Sequence, residues 1–487
     1  MRTLGALVLA FLVAGCAGPV NRKLGMFDGT SGYRYDTLSK DGNGDELFVV
    51  LAFSGGGTRA AAFSYGVMEA LRDARHTGGR PLLEDVDVIS SVSGGSFTAA
   101  YYGLFRDAMF TDAGRDTFLH EKIQFQSALI GRALAPWTWV RLMSPSFDRI
   151  NLAAELYDGQ IFEGKTFRDL MGRKPYIILN ATDMSLGQRF EFTQDQFDLL
   201  CSDLASVKIA TGVAASSAFP GLLSPLTVTN YAAGGCNYQE PTWLRNAKAR
   251  DNPARRRVRG RDAASYQDQK AERPFVHLLD GGLADNIGLR GPYLALTSGD
   301  SGWSLIQGMN QGVVQRVVVI TANAKTKHRT TWDARRSAPG LFSVLGFVTT
   351  GPMDNYSFDT VQLVTDYFDR LRESFQDYAA CRARLEACGQ PLPGVAQPVP
   401  LHAVEVSFDG FHGSPDRDRL RRCLEELPTS FQLSDDQVEL LRRAGYVLVM
   451  TSADFNDAMK AIDDGWTPRP AAMDAALVDR ACPATQK

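Results

Sequence analysis

Three apolar runs of strand length, each ended by a glycine-rich turn, constrain this 487-residue chain more than any other feature. The first is Leu47 to Phe53, followed by Gly55-Gly56-Gly57-Thr58-Arg59. The second is Val86 to Val92, followed by Ser93-Gly94-Gly95. The third is Pro274 to Leu279, followed by Asp280-Gly281-Gly282. Continuous apolar runs suit strands covered on both faces. Behind the first turn, Ala62, Phe63, Val67, Ala70 and Leu71 recur at helical spacing. Residues 96–105 read as a second helix. Strand candidates also stand at Tyr176–Ala181, Val317–Ala322 and His402–Phe408, and helical patterns at 363–385 and 433–448, the latter passing into a strand. Strands alternating with helices argue an α/β fold with a mostly parallel sheet and helices on both faces.

The turns carry the chemistry. Glycines between a strand and a helix N-terminus let backbone N–H groups face an anion. Gly55, Gly56 and Gly57 are placed to do this for an oxyanion, with the charge of Arg59 close by. A P-loop would end in Lys-Ser/Thr, which this loop lacks. Ser93 lies on a sharp strand-to-helix bend, where a hydroxyl is exposed and the helix dipole favours negative charge. Ser90, Ser91 and Ser96 read as turn and cap residues. Asp280 ends its strand with a carboxylate that could take the proton of Ser93. Backbone donors, a nucleophile and a base are the minimum set for acyl transfer through a serine ester. None of the three turns contains a histidine.

Taken together, Gly55-Gly56-Gly57-Thr58-Arg59, Ser91-Val92-Ser93-Gly94-Gly95 and Asp280-Gly281-Gly282 resemble the marks of the patatin-like phospholipase family. Ala214-Ala215-Ser216-Ser217-Ala218-Phe219-Pro220 and Asp285-Asn286-Ile287-Gly288-Leu289 are similar to two further blocks of that family. The resemblance covers roughly Leu47 to Leu296. It implies a three-layer α/β/α fold and a Ser93–Asp280 dyad. It also implies an oxyanion hole at Gly55–Gly57, with Arg59 at the basic position, and hydrolysis of lipid or other acyl esters without a cofactor or metal. Ser91 stands where the family has glycine, as does Ala60 after Arg59. Two rival readings remain: a Ser-His-Asp esterase using His402 or His412, and a non-catalytic binding or scaffold module.

The N-terminus reads as an address rather than as part of the fold. Arg2, an apolar stretch from Leu4 to Val13 and Val13-Ala14-Gly15-Cys16 form a secretory signal resembling a bacterial lipobox. Cys16 would carry the lipid, and two or more acyl chains anchor stably where one binds marginally. Ala17 favours the outer membrane, facing the periplasm. Residues 1–15 are then signal, 16–45 a tether, 46–460 the hydrolase domain and 461–487 a tail. The other six cysteines suit an exported protein. Proximity in sequence pairs Cys201 with Cys236, Cys381 with Cys388 and Cys423 with Cys482.

A net charge of −3 gives no reason to expect nucleic acid. Glu240 to Arg273 is an Arg-rich insertion that reads as a solvated, mobile loop, or as a basic loop facing anionic lipid. Trp137 and Trp139 fall in an apolar stretch beside the crevice and read as core. Leu341 to Val348 reads as a core helix or as the lining of an acyl-chain pocket.

Overall fold

The computed structural model describes residues 19–39, 44–144, 147–249, 254–268, 272–299, 301–326, 336, 340–389 and 399–483. The signal segment and Cys16 lie outside the described residues, as does His328.

The apolar runs form the middle of one eight-stranded sheet. Its strands are β1 (Leu47–Phe53), β2 (Val86–Val92), β3 (Tyr176–Asp183), β4 (Gln188–Glu191), β5 (Leu226–Thr229), β6 (Phe275–Asp280), β7 (Arg316–Asn323) and β8 (Leu401–Ser407). The order is β8-β7-β1-β2-β3-β6-β5, with β4 hanging antiparallel on β3. From β8 to β3 every neighbour is parallel. β1, β2, β3 and β7 are nearly all buried on both faces, which explains their largely apolar sequences, whereas β8 at the sheet edge is only partly buried and alternates. β6 is antiparallel to β3 and pairs with it only through Leu278, Leu279 and Asp280, the last opposite Ala181. Asp280 therefore reaches the crevice from the opposite direction to β1, β2 and β3.

The helices used below are α1 (Gly57–Asp73), α2 (Gly94–Phe105), α3 (Gln126–Leu134), α4 (Pro136–Leu142), α5 (Ile209–Ser216), α6 (Ala254–Ala264), α7 (Leu341–Ala387) and α8 (Asp435–Thr451). With the sheet they make the three-layer α/β/α arrangement. α8 packs along α1 at backbone contact. A Cβ on Gly66 would lie 1.8 Å from the Arg442 carbonyl, and one on Gly445 would lie 2.4 Å from that of Phe63. Only glycine at both places allows this approach. α8 runs unbroken through 435–451, so no strand follows the helical pattern there. Its Val447, Leu448, Val449 and Met450 are buried on a helix, and a short apolar run does not by itself distinguish helix from strand.

Three other expectations give way. Residues 19–39 are not a loose tether. Tyr33 is fully buried, and Arg34 forms ion pairs of 2.7 Å and 2.5 Å with Asp195 and Asp198. The 240–273 insertion is partly helical, as a short helix (Thr242–Ala247) and α6. It is pinned by Tyr266 and Arg273, each 2.7 Å from the buried Asp183 carboxylate. Cys201–Cys236 and Cys423–Cys482 are bonded, with Cα separations of 5.6 Å and 6.0 Å. Cys381 and Cys388 are exposed free thiols. They are seven residues apart at the end of α7, and about 1.5 Å of rise per residue puts their Cα atoms beyond disulfide reach.

The second disulfide closes a separation of 59 residues, worth roughly 2–4 kcal/mol by chain entropy. Cys423→Ser should lower the unfolding free energy by about that much in guanidinium titration. Cys388→Ser should leave it unchanged.

Candidate active site

Ser93 stands between β2 and α2 with φ 48° and ψ −117°, a strained backbone for a residue other than glycine. Several bonds hold it there. The Ser93 N–H donates to Ser216 Oγ at 2.9 Å, and Ser216 Oγ donates to the Asn180 carbonyl at 2.7 Å. Ser96 Oγ lies 2.9 Å from the same Ser216 oxygen. Ser91 occupies the glycine position without conflict, because its hydroxyl donates to the Ile178 carbonyl at 3.2 Å. Ser216, at the end of α5, is the piece that sequence reasoning missed. Its only signal was membership of the 214–220 block, where a serine among alanines reads as packing.

The Ser93 side chain lies near enough to the Asp280 carboxyl to favour its charged form. Asp280 Oδ1 accepts the Gly282 N–H at 2.8 Å. The backbone around it is fastened on both sides. Asp280 N–H donates to Ala218 O at 3.0 Å and Gly281 N–H to Ser216 O at 3.2 Å, while Thr182 Oγ1 donates to Asp280 O at 2.8 Å. Burial pushes the Asp280 carboxyl up to about 7; the bonds from Gly282 and Ser93 pull it down by less.

The glycine loop lies against the elbow. A Cβ on Gly94 would be 2.1 Å from Gly57 O, and one on Gly55 would be 3.4 Å from Ser93 Cβ. Gly56 (φ 141°) and Gly57 (φ 61°) carry a turn that no other residue adopts easily. The three loop amides are not equivalent. Gly55 N–H is already given to Asn286 O at 3.0 Å, so Gly55 shapes the loop and does not supply a donor. The amides of Gly56 and Gly57 have no acceptor among the described residues. Neither has that of Gly94, the first residue of α2. Two helix N-termini, those of α1 and α2, thus meet beside Ser93 with unused donors.

Arg59 does different work from that expected. It is buried, and its guanidinium donates to Ala324 O (3.0 Å), Leu427 O (2.8 Å) and Thr429 Oγ1 (3.1 Å). It clamps the 427–429 segment to the glycine loop. Thr58 N–H bonds Ser430 O at 2.9 Å. Phe431 stacks on Phe125 with ring centroids 4.8 Å apart, and exchanges two 3.1 Å hydrogen bonds with Gln126.

These parts enclose a cavity of about 450 Å³ that contains Ser93 and Asp280. Its apolar wall includes Leu129, Ile130, Phe219, Leu222, Met353 and Phe431. Met353 lies on α7, one turn beyond the Leu341–Val348 segment. No described histidine lines this cavity. His277 pairs with Thr227 at 3.0 Å on the outer strands, and His412 bonds Asp409 O at 2.9 Å. His402 lies on β8, beyond β7 and β1 from the elbow strand. Among the described residues there is no cluster of metal-ligating side chains.

No curated protein matches the chain in sequence. Among solved structures, human GIVD cytosolic phospholipase A2 is similar at 14% identity and a TM-score of 0.41, covering 87% of this chain and 64% of that one. The chain thus spans somewhat less than two thirds of the human protein. VipD from Legionella pneumophila is similar at 12% identity and a TM-score of 0.29, covering 91% of this chain and 70% of that one. The model of the family described as patatin-like phospholipase matches residues 51–293, which include the glycine loop from Gly55, the Ser93 elbow and Asp280. The chain belongs to the patatin-like phospholipase family.

Proposed function

We propose that this protein is a lipid acyl hydrolase working through a Ser93–Asp280 dyad, with Gly56, Gly57 and Gly94 as oxyanion donors. One observation carries the reading: an elbow serine and a buried carboxylate that feels its side chain line one largely apolar cavity, next to amides without an acceptor among the described residues. Asp280 accepts the Ser93 proton as Oγ bonds to the ester carbonyl carbon. The carbonyl oxygen becomes an oxyanion against the free amides. Its collapse breaks the ester C–O bond, and the leaving alcohol takes the proton from Asp280. Water, deprotonated by Asp280, then attacks the acyl-enzyme, and collapse returns Ser93 and a fatty acid. A carboxylate with an ordinary pKa would be too weak a base; burial raises its basicity toward neutral pH. The Ser-His-Asp alternative has no described histidine within the cavity to support it.

The address belongs to the same proposal and rests on sequence alone. The protein is anchored by lipid on Cys16 and held in the cell envelope, on the outer membrane facing the periplasm. Cys16→Ser should move the protein from the membrane to the soluble fraction of cells, read by immunoblot.

Labelling with a fluorescent fluorophosphonate tests the nucleophile. Ser93→Ala should abolish labelling and ester turnover, and equal labelling of this variant would overturn the proposal. For the wild type, kcat/KM should fall as pH drops through about 7, because the base is then protonated. Asp280→Asn should be inactive yet more stable. A folded-state pKa above the unfolded value means that the carboxylate favours folding fully only below about pH 4, and that this is lost as pH rises through 7. At pH 8 the asparagine variant should therefore gain a few kcal/mol, since each tenfold difference in proton affinity between the folded and unfolded chain is worth about 1.4 kcal/mol. The gain should vanish near pH 3. Paired denaturant titrations at the two pH values would measure it.

A further inference from the structure

One wall of the cavity continues outward as an exposed apolar face. Ile130 and Leu222 line the cavity and are also 51% exposed, so the lining and the outer surface share side chains. From Ile130 the face runs over α3 and α4 through Leu134, Trp137, Val140 and Met143, all more than half exposed, with Trp139 at its flank. The sequence pattern places these tryptophans in the core, yet Trp137 is 71% and Trp139 is 61% exposed. Trp139 Nε1 donates to Ala133 O at 3.0 Å, which fastens α4 back onto α3. Trp137 has no partner of this kind.

Charge selects the occupant. Between Ile123 and Phe147 the chain has two arginines and no carboxylate. Arg132 makes no ion pair among the described residues, while Arg141 is held by Glu155 at 2.5 Å and lies over the Phe147 ring at 3.8 Å. An apolar face with tryptophans at its margin, one arginine paired with Glu155 and one, Arg132, with no ion pair among the described residues carries a net positive charge, which matches the boundary between acyl chains and anionic headgroups. A protein partner would not need this face to open into the cavity, whereas an acyl chain leaving a bilayer does.

We propose that the α3–α4 face is the surface by which the protein docks on a phospholipid bilayer, with Trp137 and Trp139 at the interface and the cavity mouth at Ile130 and Leu222 turned toward the acyl chains. This rests on the acyl-hydrolase reading for its purpose and not for its test. The contact is separate from any tether at Cys16: a tether sets proximity, and this face sets orientation.

The full chain carrying Ser93→Ala is mixed with vesicles of phosphatidylcholine and phosphatidylglycerol brominated in the acyl chains. The emission of Trp137 and Trp139 is isolated by difference from the same chain carrying Trp137→Phe and Trp139→Phe. Strong quenching of that pair is expected. A pair no more quenched than the remaining tryptophans would overturn the proposal, as would burial of the face in a concentration-dependent dimer that excludes the vesicles. In the active chain, Trp137→Asp should cut phospholipid turnover in vesicles by about tenfold or more and leave turnover of soluble p-nitrophenyl butyrate unchanged. Equal vesicle turnover by this variant would also overturn it. Soluble-ester turnover that survives Ser93→Ala would instead sink the acyl-hydrolase reading, and quenching would still decide the surface.

Discussion

A carboxylate held in the protein interior without a neighbouring cation is the constraint on which this structure turns. Asp280 has no opposing charge among the groups that shift it; it has the Gly282 amide and the Ser93 hydroxyl. Leaving such a group charged is costly, so its surroundings must be rigid enough not to admit water or let it swing away. The short pairing of β6 with β3, the bonds to the 216–218 segment and the Thr182 hydroxyl supply that rigidity through the backbone. The side chain itself stays free to exchange a proton with Ser93.

The second constraint is closeness. The elbow and the glycine loop touch through main-chain atoms, Gly57 against Gly94, and neither tolerates a Cβ. That contact sets two helix N-termini side by side and leaves their first amides unused. Ser216 then holds the strained Ser93 backbone by accepting its N–H. This removes the Ser93 amide from the donor set and leaves Gly94, one residue on, in its place. Ser93, Asp280 and the glycine loop are thus held by three separate strand ends and one helix C-terminus.

Much of this was legible in the sequence because of how it is buried. Strands covered on both faces are written as largely apolar runs, and β1, β2, β3 and β7 fall within a residue or two of the segments that announced them. Ser93 and Asp280 were legible because each ends such a run at a glycine. The direction of β6 was not, since an apolar run carries no sign and only three residues commit it to β3. Arg59 was legible as a positive charge near the loop, but not as a buried clamp, because its acceptors lie some 265 to 370 residues away in the chain. The Trp137 face was misread because helical apolar spacing marks a face and does not say what covers it. Cys381 and Cys388 looked paired because closeness in sequence is not closeness along a helix.

The clamp at Arg59 has a consequence for when the site exists. Ser93, Asp280 and the glycine loop are all present once residue 282 has been made, and the family match ends at residue 293. The cavity, however, is closed by Thr429, Ser430 and Phe431, which reach back to α1 and α3. Just before them, Cys423 is bonded to Cys482, which is made later still. Synthesis runs from the N-terminus, so a nascent chain that already holds Ser93, Asp280 and the glycine loop still lacks the wall that shapes their cavity. The timing of competence is therefore written into the connectivity: a segment made well after Asp280 is the part that finishes the cavity.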